Sequence, residues 1–220
     1  KNINDIQILN IDSDIKEDVT PISDIENTLK SLDVVFPVLH GLGGEDGSIQ
    51  GMFELFKVPY VGCGILASSV GMDKVYAKII FEKAGIPQAS YMYIKKTEEG
   101  YVIINDKFEE GEFSIEKITS KLKFPMFVKP SNSGSSVGVK KATSNQELKG
   151  AIENAAQYDD KILVEQGING KEVECAILDG KEVLASTVGE VISAEDFYSF
   201  DAKYNIPESK TLIPAEITEQ

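Results

Sequence analysis

The 220-residue sequence has no long hydrophobic run, and this absence argues against a membrane-spanning segment. Its longest unbroken apolar stretch, residues 34–39, is far shorter than the roughly 20 residues that a bilayer-spanning helix needs. No charged and then apolar leader opens the sequence. The sequence therefore predicts a cytoplasmic protein.

Cysteine is also scarce. The two cysteines, Cys63 and Cys175, do not have the C-x-x-C spacing of redox and zinc motifs. We therefore expect two buried small residues, because free cysteine behaves as a small apolar side chain in most proteins.

Positively charged residues are also few relative to negatively charged ones. The chain has 22 Lys and Arg residues against 36 Asp and Glu residues, which gives a net charge of -14. Such a surface repels a nucleic-acid backbone, so we expect no nucleic-acid partner. A phosphate-bearing small molecule needs only a few local cations, and Lys74, Lys129 and Lys203 are candidates if folding brings them together.

The most informative segment is residues 128–139, which read VKPSNSGSSVGV. Lys129 stands at a predicted strand end, before a loop of serine and glycine. Backbone N–H groups in such a loop can approach phosphate oxygens closely because the side chains are small, and the lysine adds a positive charge. The order strand, loop, strand differs from that of a Walker loop. The alternative is a flexible polar hairpin with no ligand.

Apolar spacing predicts most of the other elements. Residues 32–39 read as a buried strand, and the loop after them leads into a helix whose apolar face starts at Ile49. Residues 72–84 read as a second helix, with Lys74 and Lys78 on the side opposite its core stripe. The stripe consists of Tyr76, Ala77, Ile80, Phe81 and Ala84.

The second half of the chain is predicted with the same rules. The pattern weakens over residues 91–123, where an acidic run is most simply a solvated surface. Further along, the predicted elements are strands at residues 124–129, 137–141 and 162–166, a helix after the Ser144/Glu147 capping box, and an alternating strand from Glu172 to Ile177.

Six motifs in the sequence closely resemble motifs of the D-alanine:D-alanine ligase family, which includes vancomycin-resistance relatives that make D-alanine:D-serine. They lie in the family's order at residues 40–51, 59–64, 72–74, 85–87, 128–138 and 201–204. The resemblance implies an α/β protein with the ATP-grasp fold, built from α+β lobes and preceded by a remnant of an amino-terminal Rossmann-like domain. It divides the chain into residues 1–71, 72–165 and 166–220. These are expected to be part of the substrate domain, the central ATP-grasp subdomain and the start of the carboxy-terminal one.

The resemblance also implies roles for residues at matched positions. Lys74 and Lys129 look like the lysines that bind the ATP phosphates. Ser135, together with Ser136, looks like the part of the loop that holds phosphate and substrate. Two carboxylates look like further nucleotide-binding residues: Glu165 lies beside the adenine and Glu172 at the ribose hydroxyls. Taken alone, the alternation of polar and apolar residues along the strand of Glu172 predicts instead a solvated glutamate.

Three more residues are assigned near the second substrate. His40, the only histidine, resembles the histidine that positions that substrate, although a lone histidine at a strand end is more often structural. Lys203 and Tyr204 resemble the mobile loop that closes over the site. A tyrosine at that position favours an amine nucleophile, D-alanine or D-serine, over D-lactate.

The sequence departs from the family in what it lacks. The amino-terminal segment that binds the first D-alanine and the carboxy-terminal set that holds two Mg²⁺ ions are not found, so we expect a chain incomplete at both ends. The resemblance implies ATP and Mg²⁺, small D-amino-acid substrates and a homodimer. Two alternatives stay open: another ATP-grasp carboxylate–amine ligase, or a nucleotide-binding module without catalysis.

Overall fold

A six-stranded antiparallel sheet is the largest element of the structure, a computed structural model that describes residues 22–192 and 210–217. Its strands are β1 (Tyr91–Thr97), β2 (Gly100–Ile104), β3 (Glu110–Glu112), β4 (Met126–Pro130), β5 (Lys140–Ala142) and β6 (Lys161–Gln166). They lie in the order β3-β2-β1-β6-β4-β5. The sheet therefore places the carboxyl end of β4 beside the start of β6, where Pro130 pairs with Ile162.

Two helices cover one face of this sheet and form the main core with it. They are α5 (Ile115–Lys121) and α6 (Asn145–Ala155). The Ser144 hydroxyl caps α6 by accepting from Glu147 N, as predicted, while the Glu147 carboxylate accepts from Thr143 N. Residues 91–123, whose pattern was weak, supply β1, β2, β3 and α5. The pattern is weak because few side chains of β1 and β2 are exposed: the first four of β1 alternate between half-buried and buried, and those of β2 are half-buried up to the buried Ile104.

The described residues that precede the sheet are mainly helical. It comprises α1 (Ile22–Lys30), α2 (Ser48–Phe56), α3 (Ile65–Met72) and α4 (Lys74–Lys83). A small second core joins α1 and α2 through Leu29, Phe53 and Val58. The helix predicted from the spacing after Ile49 is thus confirmed as α2.

The buried strand predicted over residues 32–39 is wrong. This segment makes only one isolated parallel bridge, between Val35 and Tyr60, and Val34, Phe36 and Val38 are each more than half exposed. An apolar run becomes a buried strand only where neighbouring strands pair with it and another layer covers it. Within the described residues, this segment has no ladder on either side.

The predicted core face of α4 is wrong at four of its five positions. Tyr76, Ile80, Phe81 and Ala84 are exposed, whereas Ala77 is buried as predicted and Val75, outside the predicted face, is buried too. The helix instead turns Lys78 toward Glu165 of β6 and Lys74 toward the loop after β4, because its first turn docks on polar groups at the end of β4. A third correction concerns the cysteines: Cys63 and Cys175 are free but exposed, and Cys175 lies in a region of short, exposed strands.

Five short strands follow β6: β7 (Glu172–Glu174), β8 (Ile177–Asp179), β9 (Val183–Ala185), β10 (Gly189–Ile192) and β11 (Lys210–Leu212). One sheet has the order β11-β10-β7, and β8 pairs with β9. The single alternating strand predicted from Glu172 to Ile177 is therefore divided between two sheets. In the part of the chain that the structure describes, no helix has the length and apolar character to cross a bilayer.

Candidate functional site

The first turn of α4 is fixed to the end of β4 by Asp73. Its carboxylate caps the helix by accepting from Val75 N and Tyr76 N, both at 3.2 Å. The hydroxyl of Ser131 donates to the same carboxylate at 2.5 Å and accepts from Val75 N at 3.1 Å. Ser131 is completely buried, so its hydroxyl has these protein groups in place of water. The serine-rich loop therefore starts from a rigid base.

Lys161 completes this buried network. Its ammonium forms an ion pair with Asp73 and lies 5.1 Å from the centre of the Tyr76 ring. Burial works to raise the pKa of Asp73, but the hydrogen bonds from Lys161 and Ser131 outweigh it and hold the pKa below its ordinary value. The carboxylate is thus a permanent anion at neutral pH.

Lys74 lies directly after this cap and reaches the serine-rich loop. Its Nζ donates to the carbonyl oxygen of Ser133 at 2.5 Å and to that of Ser131 at 3.4 Å. Lys74 and the loop are 57 to 59 residues apart in sequence. The structure therefore brings together two features that the sequence analysis assigned to phosphate binding.

Lys129 lies on β4 beside Glu165 of β6. Its Nζ is 2.6 Å from Glu165 Oε2, and Lys78 forms an ion pair with the other oxygen, Oε1. Burial acts to raise the pKa of Glu165, but the charges and hydrogen bonds of Lys129 and Lys78 prevail and lower it. Two predicted site residues, Lys129 and Glu165, are therefore in direct contact.

Lys78 is not among the predicted site residues. Its apolar neighbours in sequence predict a position on the outer side of α4, whereas its side chain is only 13% exposed. Lys78 follows Lys74 by four residues, and residues at that spacing share one face of a helix. Two lysines at this spacing, after an aspartate at the helix start, are the sequence signal that Lys78 lies on the same face as Lys74.

The serine-rich loop has a tight, unusual backbone. Ser135 and Ser136 both have left-handed backbone angles, with φ of 50° and 60°. Two turns stabilise the loop, Val137 N to Gly134 O at 3.0 Å and Val139 N to Ser136 O at 3.2 Å. Successive small residues in such conformations make concave N–H surfaces of the kind that bind anions. The residues present therefore fit a phosphate-bearing ligand.

The loop that follows His40 touches the serine-rich loop through two glycines. A Cβ atom on Gly134 would lie only 2.8 Å from the Cα atom of Gly41. The Gly41 N–H donates to the Glu45 carboxylate at 2.6 Å, which holds this loop in shape. His40 therefore directly precedes Gly41, which contacts the serine-rich loop, and the side chain of His40 is exposed.

A cavity of about 380 Å³ opens beside this contact. It lies between the loop before α2, the helix α3 and the start of α4, and it is lined by Leu42, Asp46, Ser48, Ser69, Val70, Asp73, Tyr76 and Asn132. The Asp46 carboxylate accepts from Gly43 N and Ser48 N, and the Gly43 bond in particular lowers its pKa. The cavity can admit a small polar molecule next to the base of the loop.

Three predicted residues are not placed with this group. Glu172 lies on β7, in the three-stranded sheet, with an exposed side chain. Lys203 and Tyr204 lie outside the described residues. Among residues 22–192 and 210–217, no cluster of three or more His, Cys, Asp or Glu side chains is arranged to hold a metal ion.

The two lowered pKa values predict how stability depends on pH. A carboxyl group whose pKa is lower in the folded state stabilises the fold above its unfolded pKa, and this contribution is lost as the pH falls through the folded pKa. The ordinary values are 3.8 for Asp73 and 4.5 for Glu165. We expect the free energy of unfolding, measured with urea between about pH 3 and 7, to fall below about pH 4.5. The slope should be smaller in Asp73→Asn, and stability that rises on acidification would contradict the assignment.

Comparison with known proteins decides the family. The profile described as D-ala D-ala ligase C-terminus matches residues 80–220, and the one described as D-ala D-ala ligase N-terminus matches residues 4–63. The chain belongs to the D-alanine–D-alanine ligase family. It is 56% identical over 191 residues to the D-alanine–D-alanine ligase of Acetivibrio thermocellus, a match that covers 87% of this chain and 49% of that protein. The corresponding enzyme of Caldicellulosiruptor bescii is 47% identical over 209 residues, covering 93% and 55%.

Solved structures of ligases have the same fold. The VanG D-Ala:D-Ser ligase from Enterococcus faecalis superimposes with a TM-score of 0.69 and 38% identity, covering 85% of this chain and 51% of that one. The D-alanine-D-alanine ligase from Coxiella burnetii gives a TM-score of 0.63 and 33% identity, covering 73% and 44%. The ATP-grasp fold class is thus confirmed, and the chain spans about half the length of these relatives.

Proposed function

We propose that the natural protein containing this chain is an ATP-dependent ligase that joins D-alanine to a second D-amino acid, D-alanine or D-serine. The product would serve peptidoglycan precursor synthesis in the cytoplasm. The observation that supports this most is that Lys74 donates to the carbonyl oxygens of Ser131 and Ser133, in the loop that follows Lys129, beside a cavity for a small polar molecule. This arrangement supports a phosphate site next to space for a substrate.

The proposed reaction has two steps. A carboxylate oxygen of D-alanine attacks the γ-phosphorus of ATP and ADP leaves, which gives an acyl phosphate. The amine of the second amino acid, after losing a proton, attacks the acyl carbon, and the carbon–oxygen bond breaks to release phosphate. Negative charge shifts among phosphate oxygens in both steps, so fixed cations and N–H donors lower both barriers.

The chain's residues take distinct parts in this proposal. Lys74 and Lys129 bind phosphate oxygens, and the loop at Ser135 and Ser136 covers them and keeps water from the acyl phosphate. The side chain of Glu165, at the end of β6, faces the adenine, and Glu172 is assigned to the ribose.

The assignments nearer the second substrate complete the proposal. His40 positions the second amino acid, and Lys203 and Tyr204 belong to a closing loop. Mg²⁺ is expected with ATP, and its ligands are expected outside the described residues. We also expect a homodimer.

The test is turnover by the natural full-length protein with ATP, Mg²⁺ and D-alanine. The proposal predicts D-alanyl-D-alanine, ADP and phosphate in equal amounts, and none of them with L-alanine as the matched control. Competition between D-alanine and D-serine then identifies the second substrate. ATP binding without turnover would instead support a non-catalytic module, and turnover only with a different carboxylate would support another ATP-grasp ligase.

A further inference from the structure

Lys78 has an enclosed ammonium group that the proposed reaction does not use. Its Nζ lies beside Glu165 Oε1, 3.4 Å from Gln88 Oε1 and 3.5 Å from the carbonyl oxygen of Ala89. It also lies 5.1 Å from the centre of the Tyr91 ring. Enclosing an ammonium group is unfavourable unless its charge is compensated, so an anion at this place is required.

That anion is Glu165, and it has a second cation. One carboxylate oxygen faces Lys78 and the other lies 2.6 Å from Lys129 Nζ. Two ammonium groups and one carboxylate give this cluster a net charge of +1. Lys129 and Glu165 without Lys78 would have a net charge of zero, and that pair would not attract a phosphate.

The two lysines differ in their freedom to meet a ligand. The side chain of Lys129 is 26% exposed, that of Lys78 is 13% exposed and that of Glu165 is 15% exposed. Besides Glu165, Lys129 lies 5.9 Å from the Phe127 ring, whereas Lys78 also has the Gln88 and Ala89 oxygens around it. Lys129 is therefore the lysine that can turn to a ligand, and Lys78 is the one that stays with the carboxylate.

We propose that Lys78 is a positioning residue for the nucleotide: it holds and neutralises the Glu165 carboxylate, so that the charge of Lys129 remains available to a phosphate group. This inference rests on the ATP site of the proposed function. It gives Lys78 an effect on ATP affinity that is exerted through Glu165.

The test is a double-mutant cycle on the natural full-length protein, with the dissociation constant for ATP–Mg²⁺ measured by calorimetry without D-alanine. Lys78→Met should weaken ATP binding about tenfold, because Glu165 then neutralises Lys129 alone. In the Glu165→Gln background, the same substitution should weaken binding by less than about threefold. Lys78→Arg, which keeps the charge, should stay within about threefold of wild type.

Steady-state kinetics provide a second test, because a purely structural role of Lys78 would not change KM for ATP while leaving kcat nearly constant. Lys78→Met should raise KM for ATP about tenfold and leave kcat at saturating ATP within about threefold. If Lys78→Met does not fold by circular dichroism, the same cycle is run with Lys78→Gln, which keeps a polar group beside Gln88.

A matched control is Lys83→Met, which removes an exposed lysine from the last turn of the same helix and should leave ATP affinity unchanged. Equal losses in ATP affinity from Lys78→Met in both backgrounds would overturn the inference, and so would no loss at all. If the wild-type protein binds ATP but the Lys78 variants do not give the expected affinities, only the role of Lys78 is overturned and the proposed function is unaffected. A wild-type protein that does not bind ATP overturns both proposals.

Discussion

Gly134→Ala should lower kcat/KM for dipeptide formation by about a hundredfold, a typical cost of moving a reacting group by about 1 Å. The added Cβ would lie 2.8 Å from the Cα atom of Gly41, and both atoms near the contact belong to backbone. Neither loop can relieve the overlap by turning a side chain, so the serine-rich loop and the loop after His40 must separate. Steady-state kinetics and thermal unfolding on the same preparations measure the two consequences.

The matched control for this substitution is Gly150→Ala. Gly150 lies within α6, and a Cβ atom there meets nothing within 4 Å. The same chemical change should therefore stabilise the protein by about 0.5 to 1 kcal/mol and leave kcat/KM unchanged. Wild-type kinetics in Gly134→Ala would show that the contact between the two loops does not matter for activity.

Lys129→Ala should weaken ATP binding by about 1.5 to 3 kcal/mol, which corresponds to roughly ten- to 150-fold. The substitution removes the partly exposed cation at the end of β4 and leaves Glu165 paired with Lys78. The dissociation constant for ATP–Mg²⁺ and KM for ATP should rise together. Lys149→Ala, an exposed lysine on α6, is the control and should change neither quantity. Unaltered affinity in Lys129→Ala would remove this lysine from the phosphate site.

The local chemistry of the site could be predicted from sequence. Lys129 and the serine-rich loop combine a cation with small residues, and the capping box at Ser144 fixes where α6 begins. These signals lie within a few residues of one another, and local backbone preferences decide them. The family resemblance singled out Lys74 among the candidate cations and added Glu165. The structure places Lys74 in contact with the loop and Glu165 in contact with Lys129.

Features that depend on distant partners were not predicted. Val34, Phe36 and Val38 look like strand residues, but burial requires neighbouring strands that the sequence of this segment does not specify. Lys78 looks like a solvated lysine because its partner, Glu165, is 87 residues further along the chain. The network of Asp73, Ser131 and Lys161 was missed for the same reason, since each of its residues is ordinary in its local context.

The orientation of α4 shows how these two kinds of signal compete. Tyr76, Ile80 and Phe81 form an apolar stripe, and periodicity places such a stripe in the core. The hydrogen bonds of Asp73 and Ser131 instead fix the first turn so that Val75 is buried and Lys78 faces Glu165 of β6. A buried polar cap thus outweighs an apolar stripe in setting the rotation of this helix.

Formation of an acyl phosphate of D-alanine from ATP can be tested by following oxygen from the substrate to the released phosphate. D-alanine labelled with oxygen-18 in both carboxylate positions is supplied to the natural full-length protein with ATP and Mg²⁺, and the released phosphate is analysed by mass spectrometry. We expect one labelled oxygen in each released phosphate, because the carboxylate oxygen that attacks the γ-phosphorus leaves with it. Dipeptide formation with unlabelled phosphate would show that no acyl phosphate is formed.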